Sequence, residues 1–282
     1  MNRIAVVGAG TMGRGIAHVA ALSGYGVALH DALPGAVEKA RAQIEADLAT
    51  GIQKGKITDA DRKRTLENLR LEASLGDAAR DADLVVEAIV EDLDKKRTIF
   101  AALDRLAPEK AVLATNTSSL PVGLIAASTR RPERVIGMHF FNPVHIMKLV
   151  EVVVHPGSSD AARDGVLETA RKMGKTPILV KDSPGFATSR LGVILGLEAM
   201  RMLEQGVASA EDIDRAMELG YNHPMGPLKL TDLVGLDVRL AIAEHLHREL
   251  KEDQYKPPDI LKKKVQAGEL GKKTKRGFYT WD

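Results

Sequence analysis

The chain has 282 residues, enough for one large or two modest domains. Forty basic and 38 acidic side chains leave a formal net charge of +2, and 44% of residues are hydrophobic. That excludes a disordered chain and removes any general electrostatic reason to expect nucleic acid or a membrane surface as partner. With no cysteine there is no disulfide framework, thiolate nucleophile or cysteine-ligated zinc. No run approaches the roughly 20 apolar residues of a membrane-spanning helix. The opening MNRIAVVGAG lacks the pattern of a secretion signal, so the expectation is a cytoplasmic protein.

In chain order, 4-IAVV-7 and 26-GVALH-30 are apolar strand-like runs stopped by glycine or polar residues. A long helical pattern follows Pro34, and a shorter helix is announced by Thr58 with Asp61 three residues on, as in a capping box. Further strand-like runs are 69-LRLEA-73, 84-LVVEAI-89, 111-AVLAT-115, 134-RVIGMHF-140, 149-LVEVVV-154 and 176-TPILVK-181. Helical patterns fill most of the gaps, notably 94–107 and 160–173. Strands interleaved with helices predict an α/β fold, doubly wound on a mostly parallel sheet. After 182-DSPGF-186 the strand signal stops and a smaller all-helical region follows. The expected domains are therefore 1–184 and 185–282, the split of an enzyme that separates cofactor from second-substrate functions.

Gly8, Gly10 and Gly13 form G-x-G-x-x-G between the first strand and the first helix. The first glycine permits a tight turn, the second lets a pyrophosphate approach the backbone, and the third allows close helix–strand packing. The helix N-terminus then offers N–H groups and partial positive charge to phosphates. Asp31 ends the second strand, where a carboxylate accepts hydrogen bonds from an adenosine ribose and repels a 2′-phosphate. The expected cofactor is NAD rather than NADP. No G-x-x-x-x-G-K-[ST] is present, so a P-loop hydrolase is not expected.

The stretch 135-VIGMHFFNPVHIMKLVEVV-153 places His139 and Glu151 among apolar neighbours. His139 ends a predicted strand of the nucleotide-binding half, where ligands gather in open α/β sheets. Glu151 lies in the following strand, within reach across neighbouring strands. Such a pair is either a satisfied core pair or a general base with its orienting carboxylate. His145 reads as an ordinary loop histidine. Upstream, 115-TNTSSL-120 puts Asn116, Ser118 and Ser119 at another strand's carboxyl end, either to orient ligands or as turn and cap chemistry. The G-x-S-x-G elbow of a serine hydrolase is missing.

Taken together, 8-GAGTMG-13, 84-LVVEAIVEDLDKK-96, 115-TNTSSL-120, 139-HFFNPV-144, 148-KLVEVV-153, 184-PGF-186, 224-PMGP-227 and 274-TKRGFY-279 resemble the L-3-hydroxyacyl-CoA dehydrogenases, particularly the short bacterial 3-hydroxybutyryl-CoA type. The resemblance spans nearly the whole chain in order. It implies NAD-dependent, reversible oxidation of (S)-3-hydroxyacyl-CoA, with His139 as general base and Glu151 supporting it. Ser118 would touch both the substrate oxygen and the cofactor. Thr11 and Met12 would join the glycines, Asn116 and Asn142 would meet the nicotinamide end, and Glu91, Lys96 and Lys273 would face the cofactor ribose. Lys54 matches a residue that meets coenzyme A, although it and Lys56 also read as solvated charges. The helical region would complete the acyl site and form a homodimer interface.

Three positions depart from the family pattern. Ser189 stands where an asparagine usually reaches the substrate carbonyl, and a hydroxyl is shorter with fewer hydrogen-bonding groups. Lys275 replaces a usual glycine, which would strain a turn needing positive φ. Asp47 stands where some members carry a coenzyme A-contacting serine. Two other readings remain: an NAD-dependent dehydrogenase of a non-CoA compound such as a sugar acid, and an NAD-binding regulator without turnover.

Overall fold

Short β-branched runs and helix-capping residues set most element boundaries in the computed structural model, which describes residues 1–282. The chain divides into two compact units, Met1–Ser183 and Pro184–Asp282. In the first, β1 (Arg3–Val7), α1 (Thr11–Leu22), β2 (Gly26–His30), α2 (Ala36–Gln53), α3 (Asp59–Asn68), β3 (Leu69–Glu72), α4 (Leu75–Ala79), β4 (Leu84–Glu87), α5 (Leu93–Leu106) and β5 (Val112–Thr115) follow in order. They are completed by α6 (Val122–Ala126), β6 (Val135–Phe140), β7 (Leu149–Val154), α7 (Asp160–Lys172) and β8 (Thr176–Lys181).

The strands form one eight-stranded sheet in the order β3-β2-β1-β4-β5-β6-β7-β8. Every neighbouring pair is parallel except β6–β7. Parallel neighbours need a crossover, which the helices supply; the loop 141–148 simply reverses direction, so β7 returns antiparallel. That reversal sets His139 directly opposite Glu151. Every residue of β4, β5 and β6 is buried, the signature of strands covered on both faces.

Ile16, Ala17 and Ala20 of α1 join Ile4, Val6, Val27, Leu29, Ile44 and Leu48 in one apolar cluster under the sheet. The small side chains on α1 bring its backbone close: a Cβ on Gly15 would lie 2.8 Å from Val144. The capping box of α3 is present, with the Asp61 N–H donating to Thr58 Oγ1 at 3.1 Å and the Thr58 N–H donating to Asp61 Oδ2 at 3.0 Å. Caps of this kind contribute about 1 kcal/mol.

The second unit holds α8 (Thr188–Glu204), α9 (Ala210–Gly220), α10 (Pro227–Val234), α11 (Leu236–Leu250) and α12 (Asp259–Gln266). Its core is a separate cluster including Val193, Leu197, Met200, Ile213, Leu228, Leu246 and Leu261. Asp232, fully buried on α10, accepts from the N–H groups of Phe278 and Tyr279 and from Trp281 Nε1, each at 2.9 Å. This carboxylate ties down the C-terminal tail, and Gly277 leaves the room it needs, since a Cβ there would collide with Asp232. The second unit is helical as expected, and its tail adds two isolated bridges, Gly271 with Arg276 and Arg276 with Thr280. Lys275 has φ +59°, so the conformation that favours glycine is indeed demanded of a lysine. No helix is long and apolar enough to cross a membrane.

Candidate active site and cofactor cleft

The three glycines differ in what surrounds them. Gly8 has φ +101°, and a Cβ there would sit 2.6 Å from the Ala88 carbonyl oxygen. A Cβ on Gly13 would run into the Gly8 carbonyl, so only glycine lets α1 start this close to β1. Beside Gly10 there is nothing within 4 Å, which leaves its backbone open to a ligand. Gly10 is also the N-cap of α1, and no side chain caps the helix. Its first-turn N–H groups and helix dipole thus remain available to an anion. Asp31 closes the loop from behind, its Oδ2 accepting the Ala9 N–H at 2.7 Å and its Oδ1 the Leu33 N–H at 2.8 Å. A glycine turn with an open middle, an uncapped helix start and a carboxylate ending β2 fits a dinucleotide.

The carboxyl ends of β4, β5 and β6 surround a cavity of about 370 Å³. Met12 lines it from the glycine loop, Ala88, Ile89 and Glu91 from beyond β4, Asn116, Thr117 and Ser118 from beyond β5, and His139 to Asn142 from β6 and the loop after it. A second hollow of about 310 Å³ lies at the amino ends of the strands, beside Asn2 and Asp83. There the Asp83 carboxylate is occupied by the N–H groups of Asn2 and Arg3.

Within the first cavity, His139 Nδ1 lies 2.7 Å from Glu151 Oε2. An ionised carboxylate has only acceptor sites, so Nδ1 carries the hydrogen and donates it. Glu151 is fully buried, whereas the His139 side chain keeps 11% exposure as part of the cavity wall. The Phe141 ring stands 4.4 Å from the imidazole, centroid to centroid. Ring and carboxylate are thus locked in one arrangement by strand register, hydrogen bond and packing.

A second polar network lies beneath. Lys96, on α5, is completely buried and donates to both oxygens of Glu87 at 2.7 and 3.0 Å and to the Asn116 carbonyl at 3.1 Å. Glu87 also accepts from Thr115 Oγ1 and the Ile89 N–H, each at 2.7 Å. Burial pushes the Glu87 carboxyl upward, while Lys96, Thr115 and Ile89 pull the other way. Lys96 thus has no exposed surface in this structure. Its ammonium also lies 3.6 Å from Glu91 Oε2. Glu91 Oε1 in turn accepts from Thr117 Oγ1 at 2.6 Å and the Ser118 N–H at 3.0 Å, holding the Ser118 loop. Asn116 Oδ1 accepts the Phe140 N–H at 3.0 Å, joining that loop to the strand of His139.

Glu87, Thr115 and Thr117 were not singled out in the sequence, because a strand-end polar residue carries no mark of which neighbours it will meet. The remaining candidates lie elsewhere. Lys54 is the exposed C-cap of α2. Ser189, half-buried in the first turn of α8, belongs to the second unit. So does Lys273, whose ammonium is held by both oxygens of Asp237 at 2.5 and 2.6 Å.

The chain is similar over its whole length to known proteins. Residues 3–183 match the NAD binding domain of 3-hydroxyacyl-CoA dehydrogenase, and residues 185–281 match the C-terminal domain of the same enzyme. A 3-hydroxybutyryl-CoA dehydrogenase of Clostridioides difficile is 45% identical over 99% of each chain. One from Mycobacterium tuberculosis strain H37Rv is 44% identical over 100% of this chain and 99% of its own. The crystal structure of (S)-3-hydroxybutyryl-CoA dehydrogenase from Ralstonia eutropha superposes with a TM-score of 0.96 at 41% identity, covering 100% of this chain and 99% of that one. With both halves matched and relatives aligned end to end, the chain belongs to the 3-hydroxyacyl-CoA dehydrogenase family.

Proposed function

We propose that this protein is an NAD-dependent dehydrogenase that reversibly oxidises (S)-3-hydroxyacyl-CoA, of short chain such as 3-hydroxybutyryl-CoA, to 3-oxoacyl-CoA. The observation that carries the reading is the His139–Glu151 pair, fixed at 2.7 Å in the wall of a cavity beside an open glycine loop. The names of full-length relatives support the coenzyme A ester over a sugar acid, and the complete pair argues against a regulator without turnover.

Bound NAD supplies the hydride acceptor. Gly8, Gly10, Thr11, Met12 and Gly13 hold its phosphates, Asp31 and Glu91 its ribose hydroxyls, and Asn116 and Asn142 its nicotinamide end. His139 takes the 3-hydroxyl proton at Nε2, the nitrogen that Glu151 does not engage. Glu151 keeps Nδ1 protonated and offsets the positive charge that then develops on the ring. Ser118 orients the substrate oxygen. Lys96 acts from below, holding Glu87 and Glu91 in place. Of the second unit's residues, Ser189 serves the substrate carbonyl, with one hydroxyl where an amide is usual, and Lys273 the cofactor ribose. Lys54 meets coenzyme A.

The protein works in the cytoplasm as a homodimer built on the helical unit. Leu191 and Leu195, one turn apart on α8, are exposed there, as are Leu230, Leu233 and Val234 on α10. Apolar surface repeated on neighbouring helices suits a partner of the same kind.

The test is NADH formation from (S)- and (R)-3-hydroxybutyryl-CoA, free 3-hydroxybutyrate and a sugar acid. Turnover of the S ester alone is expected. Turnover of a free acid would move the substrate to the non-CoA class. NAD binding with no turnover of any would return the pair to a structural role.

A further inference from the structure

We propose that His18, Asp47 and His145 bind one divalent transition-metal ion of borderline softness, such as Zn²⁺, which staples the loop 141–148 to α1 and α2. The three residues come from α1, α2 and that loop, and one ligand atom from each lies within 4.8 Å of the others. None of them lines the cavity that holds His139. The inference therefore stands apart from the proposed dehydrogenase activity.

His18 supplies the second observation. It is 4% exposed, and its Nδ1 is buried with no hydrogen-bond partner. Buried polar atoms are almost always satisfied, so an orphan on a residue that contributes to a cluster of potential ligands needs an explanation. The rings of His18 and His145 are stacked, 5.7 Å between centroids and 24° apart. Burial first, and then His145, Lys175 and Arg14, hold the His18 imidazole down to about 4 against the pull of Asp47. An imidazole ligates a metal in its neutral form. Lys175, whose ammonium donates to the carbonyls of Val144 and Met147, and Arg14 add positive charge nearby, which the Asp47 carboxylate opposes.

Two imidazoles and a carboxylate select zinc, cobalt or nickel over calcium or magnesium, which prefer all-oxygen sites. Three protein ligands leave a fourth position for water. Ligands about 2.0 Å from a tetrahedral ion stand roughly 3.3 Å apart, so the triad must contract on binding. His18 is fixed in the core; the exposed His145 and half-buried Asp47 supply the movement. Asp47 is held only through Oδ1, by Gln43 Nε2 at 3.0 Å.

The experiment uses the full-length protein stripped with EDTA. Co²⁺ is titrated while visible d–d absorption is followed, and melting is recorded with and without Zn²⁺. One Co²⁺ per chain is expected, displaced by Zn²⁺, with Zn²⁺ near 100 times its Kd raising Tm by roughly 5–10 °C. His145→Ala and Asp47→Asn, both at accessible positions, are each expected to abolish the absorption band and the shift while leaving the metal-free Tm within about 2 °C. Absence of a saturable band in the wild type overturns the proposal. So does a wild-type signal retained by either variant, which would put the ion on other residues.

Discussion

Two buried pairs of ionisable side chains stand at the carboxyl end of the same sheet, and they differ in what they can still do. Glu87 and Lys96 have no exposed surface, and three donor groups already engage Glu87 through four hydrogen bonds. Glu151 is equally buried, yet its partner His139 forms part of a cavity wall. Burial and charge alone therefore do not mark a reactive pair. What separates the two is a partner imidazole, able both to take and to give a proton, that touches the space where a substrate would sit. The sealed pair is scaffold, since it fixes Glu91 and the Asn116 carbonyl and so the loop that carries Ser118.

The comparison can be broken most directly at His139. His139→Gln is expected to lower kcat by about 10²–10⁴-fold with NAD affinity nearly unchanged, as for loss of a general base. A variant with near-normal kcat in steady-state assays would reduce this pair to the status of the other. Lys96→Met should do the reverse. It strands the Glu87 carboxylate and costs about 3–5 kcal/mol of stability, read from urea unfolding, whereas replacing both partners by apolar residues should recover much of the loss. If Lys96→Met left stability intact and removed only activity, the sealed pair would be catalytic after all.

Glu151→Gln sharpens the distinction within the reactive pair. An amide oxygen can still accept from Nδ1 but carries no charge, so kcat should fall roughly 10–100-fold with little change in KM. A surface-linked cluster gives the smallest effect. Burial opposes ionisation of Asp104, but hydrogen bonds from Arg130 and Arg131 win and hold its carboxyl below the usual value. A depressed folded-state value means that stability is present above the unfolded value of 3.8 and is lost as pH falls through the folded one. Asp104→Asn should remove roughly 1–2 kcal/mol at pH 7 and flatten the acid limb of an unfolding curve taken from pH 5 downward.

Much of this site was legible because its signals are local. The glycine spacing, the cap at Thr58 and the β-branched runs each act within a few residues, and strands, loop and capping box all formed where those residues stand. His139 and Glu151 were legible as a pair since both lie in adjacent apolar runs, although not that β7 would return antiparallel and set them face to face. Nothing in 84–96 reveals that the Lys96 ammonium lies against Glu87. His145 reads as an ordinary loop histidine and is an exposed loop residue; its stacking on His18 was not legible because His18 is far away in sequence.

By itself, then, the sequence determined the elements, their alternation and the residue types able to bind a dinucleotide and move a proton. Periodicity, capping and glycine conformation are near-neighbour effects written in the order of residues. Tertiary structure alone decided which buried charge keeps a face on the cavity and which is sealed, and that His18, Asp47 and His145 converge. Those outcomes depend on desolvation and on contacts between segments remote in the chain, and both exist only once the sheet and its helices have packed.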